Sequence, residues 1–106
     1  MNEWKEIKID GIARIERFVE EFEVYELYKI PYSKFKVKIF ESSNGKFIGR
    51  TNIMVIDRTK SYYPGIGHGN NVAETLKDTI LNLYLLIDDI DNLNNECFNY
   101  VESVDF

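Results

Sequence analysis

A chain of 106 residues with 44% hydrophobic content, a net charge of −5 and one cysteine is read as one domain with its own core, which argues against a disordered chain and excludes an internal disulfide. The longest near-apolar run, ILNLYLLI over 80–87, is far short of the ~20 residues that span a bilayer. The first ten residues, MNEWKEIKID, lack the apolar stretch of a secretory signal, so a cytoplasmic, non-membrane protein is expected. Charge is segregated. Residues 1–33 carry 5 Lys/Arg against 8 Asp/Glu, residues 34–60 carry 7 against 2, and residues 61–106 carry 1 against 8, giving −3, +5 and −7.

In chain order, Ile12, Ile15, Val19 and Phe22 step by three and four and predict a helix over 11–28 with Asp10 as its cap. The overlapping FEVYELYKI is rich in β-formers, so 22–30 can also be read as extended. Pro31 closes either element. KFKVKIF alternates strictly, with Phe35, Val37 and Ile39 on one face and Lys34, Lys36 and Lys38 on the other, which predicts a half-buried strand. Asn44-Gly45 is a hairpin turn signal. The return strand KFIGRTNIMVID changes parity, which points to a bulge near Gly49 or to a strand end covered on both sides.

A short third strand is expected around 60–63. YYPGIGHGNN then reads as a glycine turn delivering the chain into a helix. Val72, Leu76, Ile80, Leu83, Ile87 and Ile90 form the helical stripe. Asn71 stands at the N-cap and Glu74 completes an N-x-x-E capping box. Leu81, Leu85 and Leu86 widen the apolar surface beyond that stripe, and the acidic run DDIDNLNNE makes a poor helix C-terminus. Residues 93–106 are expected to be an edge strand or a flexible tail. The fold expected is a single α+β domain over 1–106. A two- to four-stranded antiparallel sheet packs on an N-terminal helix and a long C-terminal amphipathic helix, in the order α-β-β-β-α.

That order is similar to the double-stranded-RNA-binding domain, whose glycine-bearing segment precedes the final helix as GIGHGNNVAETLKDTI does here. Where that family sets phosphate-gripping lysines this chain has Asn70, Asn71, Val72, Ala73 and Glu74, so no RNA-binding residue carries over. The same stretch also resembles HicB-type antitoxins. Pro64-Gly65-Ile66 stands for their P-G-x turn, Gly69-Asn70-Asn71 for the glycine and polar cap, and Glu74-Thr75-Leu76 for the helix opening.

His68 and Cys97 are the only histidine and cysteine. They make a catalytic pair only if the fold brings them together, and they fall short of a zinc set. No enzyme activity, metal or cofactor is expected. Gly65, Gly67 and Gly69 are a candidate anion-binding turn, although they match neither the dinucleotide nor the P-loop spacing. Lys34, Lys36, Lys38, Lys46, Arg50 and Arg58 are candidates for a nucleic-acid-binding sheet face.

The leading expectation is a non-enzymatic protein-binding module, of the inhibitor, antitoxin or immunity type, that occludes a partner such as a toxin, nuclease or other basic protein. Fifteen aromatic residues exceed what a core of this size must hold. Tyr25, Tyr28, Tyr32, Tyr62, Tyr63 and Tyr84 include candidate anchors. The interface expected is Tyr62, Tyr63, His68, Leu81, Leu85, Asp88, Asp89 and Asp91. A homodimer through Leu81, Leu85 and Leu86, or through an open sheet edge, is the other association weighed.

Overall fold

The computed structural model describes residues 3–102 and 104–106. Four strands, β1 (Glu16–Tyr25), β2 (Lys34–Ser42), β3 (Phe47–Ile56) and β4 (Tyr62–Gly69), precede one helix, α1 (Val72–Asp88), and a short last strand, β5 (Phe98–Tyr100). The sheet is antiparallel in the order β1-β2-β3-β4, and β5 pairs with the second half of β3. Over the described residues the fold is therefore α+β, five strands and one long helix.

The helix expected over 11–28 does not form. Among the described residues up to Ile30 the only helical turn is a 3-10 turn at Glu3–Glu6, and the segment that follows is an irregular arm that turns at Gly11 (φ +91) and leads into β1. The helix-like spacing in the sequence comes from a bulge. The β1–β2 register slips between Phe18 and Glu20, so the side-chain alternation changes phase at Val19. That phase change gives Ile15, Val19 and Phe22 a spacing that mimics a helical stripe. Past the bulge, Phe22 and Val24 lie opposite Val37 and Phe35 on the face that carries the core.

β2 follows its alternation: Phe35, Val37 and Ile39 are at most 2% exposed. The hairpin closes through Gly45 (φ +86), whose N–H donates to the Ser42 carbonyl at 2.9 Å. At Gly49 the β2–β3 pairing is regular, with Ile39 opposite it; the irregularity expected near this glycine lies on the other side, where the β3–β4 register slips between Arg50 and Met54.

The glycines of YYPGIGHGNN lie in a strand, not in a turn. Gly65, Gly67 and Gly69 fall on alternate positions of β4 and face α1. A Cβ at Gly67 would sit 2.3 Å from the Thr79 nitrogen, one at Gly65 2.7 Å from the Leu83 Cβ, and one at Gly69 2.7 Å from the Thr75 Oγ1. Gly49 on β3 faces the same helix, its missing Cβ 2.2 Å from the Thr79 Oγ1. The absence of side chains along this track lets the helix backbone come down onto the strand.

The helix answers with small residues. Its most buried line is Thr75, Thr79, Leu83 and Ile87, a rotation away from the apolar stripe read from the sequence. Both threonines are fully buried. Each hydroxyl donates to the carbonyl four residues back, Thr75 to Asn71 at 2.7 Å and Thr79 to Thr75 at 2.6 Å. Neither polar group is thus left without a partner. Leu83, Ile53, Val55 and Val37 complete a core in which each fully buried aliphatic side chain contributes roughly 1.5–3 kcal/mol. The helix start is capped as the N-x-x-E pattern implies: Asn71 Oδ1 accepts from the Glu74 N–H at 2.8 Å. The returning Glu74 carboxylate accepts from Asn70, one residue before the cap, at 3.0 Å.

Candidate protein-binding surface

The strand registers bring distant parts of the chain to one end of the sheet. Tyr25 ends β1 opposite Lys34, Ile56 ends β3 opposite Tyr62, and α1 runs back along β4 to finish at Asp88. The β1–β2 loop, the β3–β4 turn and the acidic end of the helix are thereby gathered at the same end. His68, opposite Ile48, lies at the other.

The β1–β2 loop is organised by a buried carboxylate. Glu26 is 4% exposed. One of its oxygens accepts from the backbone N–H groups of Lys29 (2.6 Å), Tyr28 (2.9 Å) and Ile30 (3.2 Å). The other accepts from the Tyr84 hydroxyl at 3.1 Å. Burial pushes the Glu26 pKa up, but these hydrogen bonds to the charged form outweigh it and hold the group below the ordinary glutamate range. Burial, with the Glu26 charge beside it, raises the Tyr84 phenol in turn.

The loop is also fastened from outside. Lys29 Nζ lies 2.9 Å from Asp88 Oδ1 and 5.1 Å from the centre of the Tyr84 ring. The Tyr100 hydroxyl donates to the Pro31 carbonyl at 2.5 Å, with the Lys34 carbonyl at 3.1 Å.

On this fixed backbone the large side chains point outward. Tyr25 is 72% exposed, Leu27 77%, Tyr28 87% and Tyr32 83%. Tyr32 is held at φ 63 and Ser33 at φ 57. That left-handed conformation costs a non-glycine residue about 1–2 kcal/mol, and strain of this kind concentrates where a side chain must be presented. Tyr32 meets Tyr100 edge-on at 5.8 Å. Beside the pair is a mainly apolar hollow of about 230 Å³, lined by Tyr32, Phe35, Asn52 and Tyr100 with Glu23 and the two lysines 34 and 36.

The helix adds two exposed leucines, Leu81 (50%) and Leu85 (67%), one turn apart on its outer face. Its end carries Asp88, paired with Lys29, and Asp89, 3.5 Å from Arg58. Asp89 and Asp91 line a polar cleft of about 300 Å³ shared with Asp57, Arg58, Lys60 and Glu96. Tyr62 and Tyr63 stand at this end, and the Tyr62 hydroxyl donates to the Glu96 carbonyl at 2.9 Å. Of the eight residues expected at an interface, His68 alone lies at the far end. Leu27 and Glu26 were missed. Nothing in the composition of ELYKIPY shows that one carboxylate collects three consecutive N–H groups there.

The six cations do not make one row. Lys34, Lys36 and Lys38 share the helix-free face with Arg50, but each stands opposite an acidic or aromatic residue of its neighbour strand: Lys34 by Tyr25, Lys36 by Glu23 and Lys38 by Glu21. Lys34 bridges Glu23 at 3.0 Å, Arg50 bridges Glu16 at 3.0 Å, and Lys38 Nζ donates to the Phe106 carbonyl at 3.1 Å. Lys46 donates to Asn70, and Arg58 lies beyond β3 against the helix end.

Cys97 is buried next to β5, whose Phe98 pairs with Val55, while His68 pairs with Ile48. Seven residues of strand, about 23 Å, separate the two positions. Among the described residues no group of three or more His, Cys, Asp or Glu is arranged to hold a metal, and no helix is long and apolar enough to cross a membrane. No protein-family model matches the chain, and no significant match is found among curated proteins or solved structures.

Proposed function

We propose that this protein is a small protein-binding module that acts by covering a surface of its partner, in the manner of an inhibitor, antitoxin or immunity protein. The observation that carries the reading is the end of β1 and the loop after it, where Tyr25, Leu27, Tyr28 and Tyr32 are 72–87% exposed on a backbone pinned by the buried Glu26. Large apolar side chains held outward on an ordered frame have already lost the backbone entropy that binding demands. Tyrosine supplies contact area with few rotors and a polar tip, which suits an interface anchor.

The acidic helix end beside the loop favours a basic partner. Asp88, Asp89, Asp91 and Glu96 outnumber the cations Lys29, Arg58 and Lys60 near them, which steers encounter with a positively charged surface. Leu81 and Leu85 extend the apolar area along the helix.

The test is affinity capture from the native host with quantitative comparison of variants. Wild-type protein is expected to retain a specific partner. Leu27→Ser with Tyr28→Ser is expected to lose it, while the far-end variant His68→Ser retains it. Retention by all three, or no specific partner for the wild type, counts against the proposal.

A further inference from the structure

The two edges of the sheet differ. Along β4 the outward positions are Pro64, Ile66 and His68, because the Gly65 N–H turns inward to Thr51 Oγ1. At each of them one group that a further strand would use is absent or already taken. Pro64 has no N–H, the Ile66 carbonyl accepts from Asn82 Nδ2 at 2.7 Å, and the His68 N–H donates to Asp78 Oδ2 at 2.8 Å. Side chains of α1 thus plug this edge.

β1 has no such plug. The Glu26 N–H donates across the hairpin to the Ser33 carbonyl at 2.9 Å. Alternation then turns Val24 and Phe22 toward β2, and Tyr25, Glu23 and Glu21 outward. The inward turn of Lys36 toward β3, where its N–H donates to Asn52 Oδ1, agrees with this phase. No hydrogen bond among the described residues caps the outward groups of Glu21, Glu23 and Tyr25. From Glu20 past the bulge to Tyr25 the edge runs about 20 Å and ends in the aromatic loop.

We infer that the β1 edge, residues 20–25, receives an extended segment of a partner protein as an added strand, and that this segment alternates basic with apolar residues. The inference rests on the protein-binding reading and names the element through which the partner is held. Its sequence character follows from the two faces of β1. On the helix-free face the newcomer lies beside Glu21, next to Lys38, and beside Glu23, which lies next to Lys36 and bridges Lys34 at 3.0 Å. A basic residue there continues the alternation of charge across the sheet. On the other face it lies beside the half-buried Phe22 and Val24, where an aliphatic side chain extends the core. A second copy of this chain fits poorly, because β1 paired with β1 sets glutamates against glutamates.

The probe is a capped nine-residue peptide of alternating Lys and Val, added to isotope-labelled protein and followed by amide hydrogen exchange. Exchange at Glu21, Glu23 and Tyr25 is expected to slow by at least about tenfold at saturation. A peptide of the same charge, N-methylated at the amides that would face β1, is expected to give no slowing, nor is a Glu-Val peptide. Glu23→Pro removes an outward N–H, a change an edge strand tolerates, and is expected to keep the fold and lose the protection. If that variant does not fold, the N-methylated peptide decides the matter.

Equal effects of the plain and N-methylated peptides, or no slowing by either, overturn the inference. So does self-association through β1. If the peptide leaves β1 unchanged while Leu27→Ser with Tyr28→Ser still abolishes partner capture, the edge is wrong and the protein-binding reading stands.

Discussion

Replacing Gly67 with alanine tests the packing of α1 against β4. The new Cβ would meet the helix backbone itself, the Thr79 nitrogen at 2.3 Å and its Cα at 2.6 Å, against an ordinary contact of at least 3.4 Å. The helix must retreat by about 1 Å. A gap of that size forfeits a quarter to a half of each dispersion contact it opens, and Leu83, Ile87 and Thr75 all lie along the seam. Overpacking typically costs about 1–3 kcal/mol. With a backbone obstacle and a widened seam we expect about 3–5 kcal/mol, less the ~0.5–1 kcal/mol that alanine gains over glycine in a strand.

Against a total stability of about 5–15 kcal/mol, and an m-value of about 1–3 kcal/mol/M, the urea midpoint should fall by at least about 0.7 M. Gly49→Ala is the control, since its Cβ meets the Thr79 hydroxyl at 2.2 Å and no helix backbone atom closer than 3.3 Å. Thr79→Ala should therefore rescue Gly49→Ala substantially and Gly67→Ala only slightly. A Gly67→Ala loss below about 1 kcal/mol, or equal rescue of both variants, refutes the reasoning.

Other outcomes follow from the loop and the sheet face. Glu26→Ala leaves three N–H groups without their acceptor and is expected to cost about 2–3 kcal/mol in denaturant unfolding. Because the folded Glu26 pKa is depressed, its stabilisation is complete above the unfolded value and is lost as pH falls through the folded one. Glu26→Gln should accordingly flatten the acid limb of the stability curve, and an unchanged limb contradicts the assignment. Leu81→Ser, Leu85→Ser and Tyr28→Ser change exposed side chains and should each shift stability by no more than about 0.5 kcal/mol. A larger loss means that these side chains serve the fold. In filter-binding titrations at low salt, duplex DNA and RNA are expected not to be retained, since Lys34, Arg50 and Arg58 already face carboxylates. Saturable, salt-sensitive retention would restore the sheet face as a nucleic-acid site.

What could be read from the sequence was decided by period. β2 alternates from Lys34 to Glu41, and Phe35, Val37 and Ile39 are buried as its pattern gives. β1 could not be read the same way, because a single bulged residue, Val19, shifts the phase of the alternation. The glycines of β4 looked like a turn because glycine is the commonest turn residue. Their spacing of two was the overlooked sign that all three share one face of a strand. The helix face was misplaced for a related reason. Threonine counts as polar in a stripe, yet Thr75 and Thr79 bury their hydroxyls by bonding their own helix. At the candidate site, the acidic helix end and Leu81 with Leu85 were visible as departures from an ordinary amphipathic pattern. Glu26 was not, since its partners are backbone groups that only the folded loop brings together.

The central claim is that a partner protein seats on the end of the sheet that carries the aromatic loop. The most direct measurement places a photo-crosslinking amino acid at Tyr28 in one version of the protein and at His68 in another, each expressed in the native host and irradiated. The account predicts a discrete protein adduct from Tyr28 and none from His68. Adducts from His68 alone, or the same adducts from both positions, would contradict it.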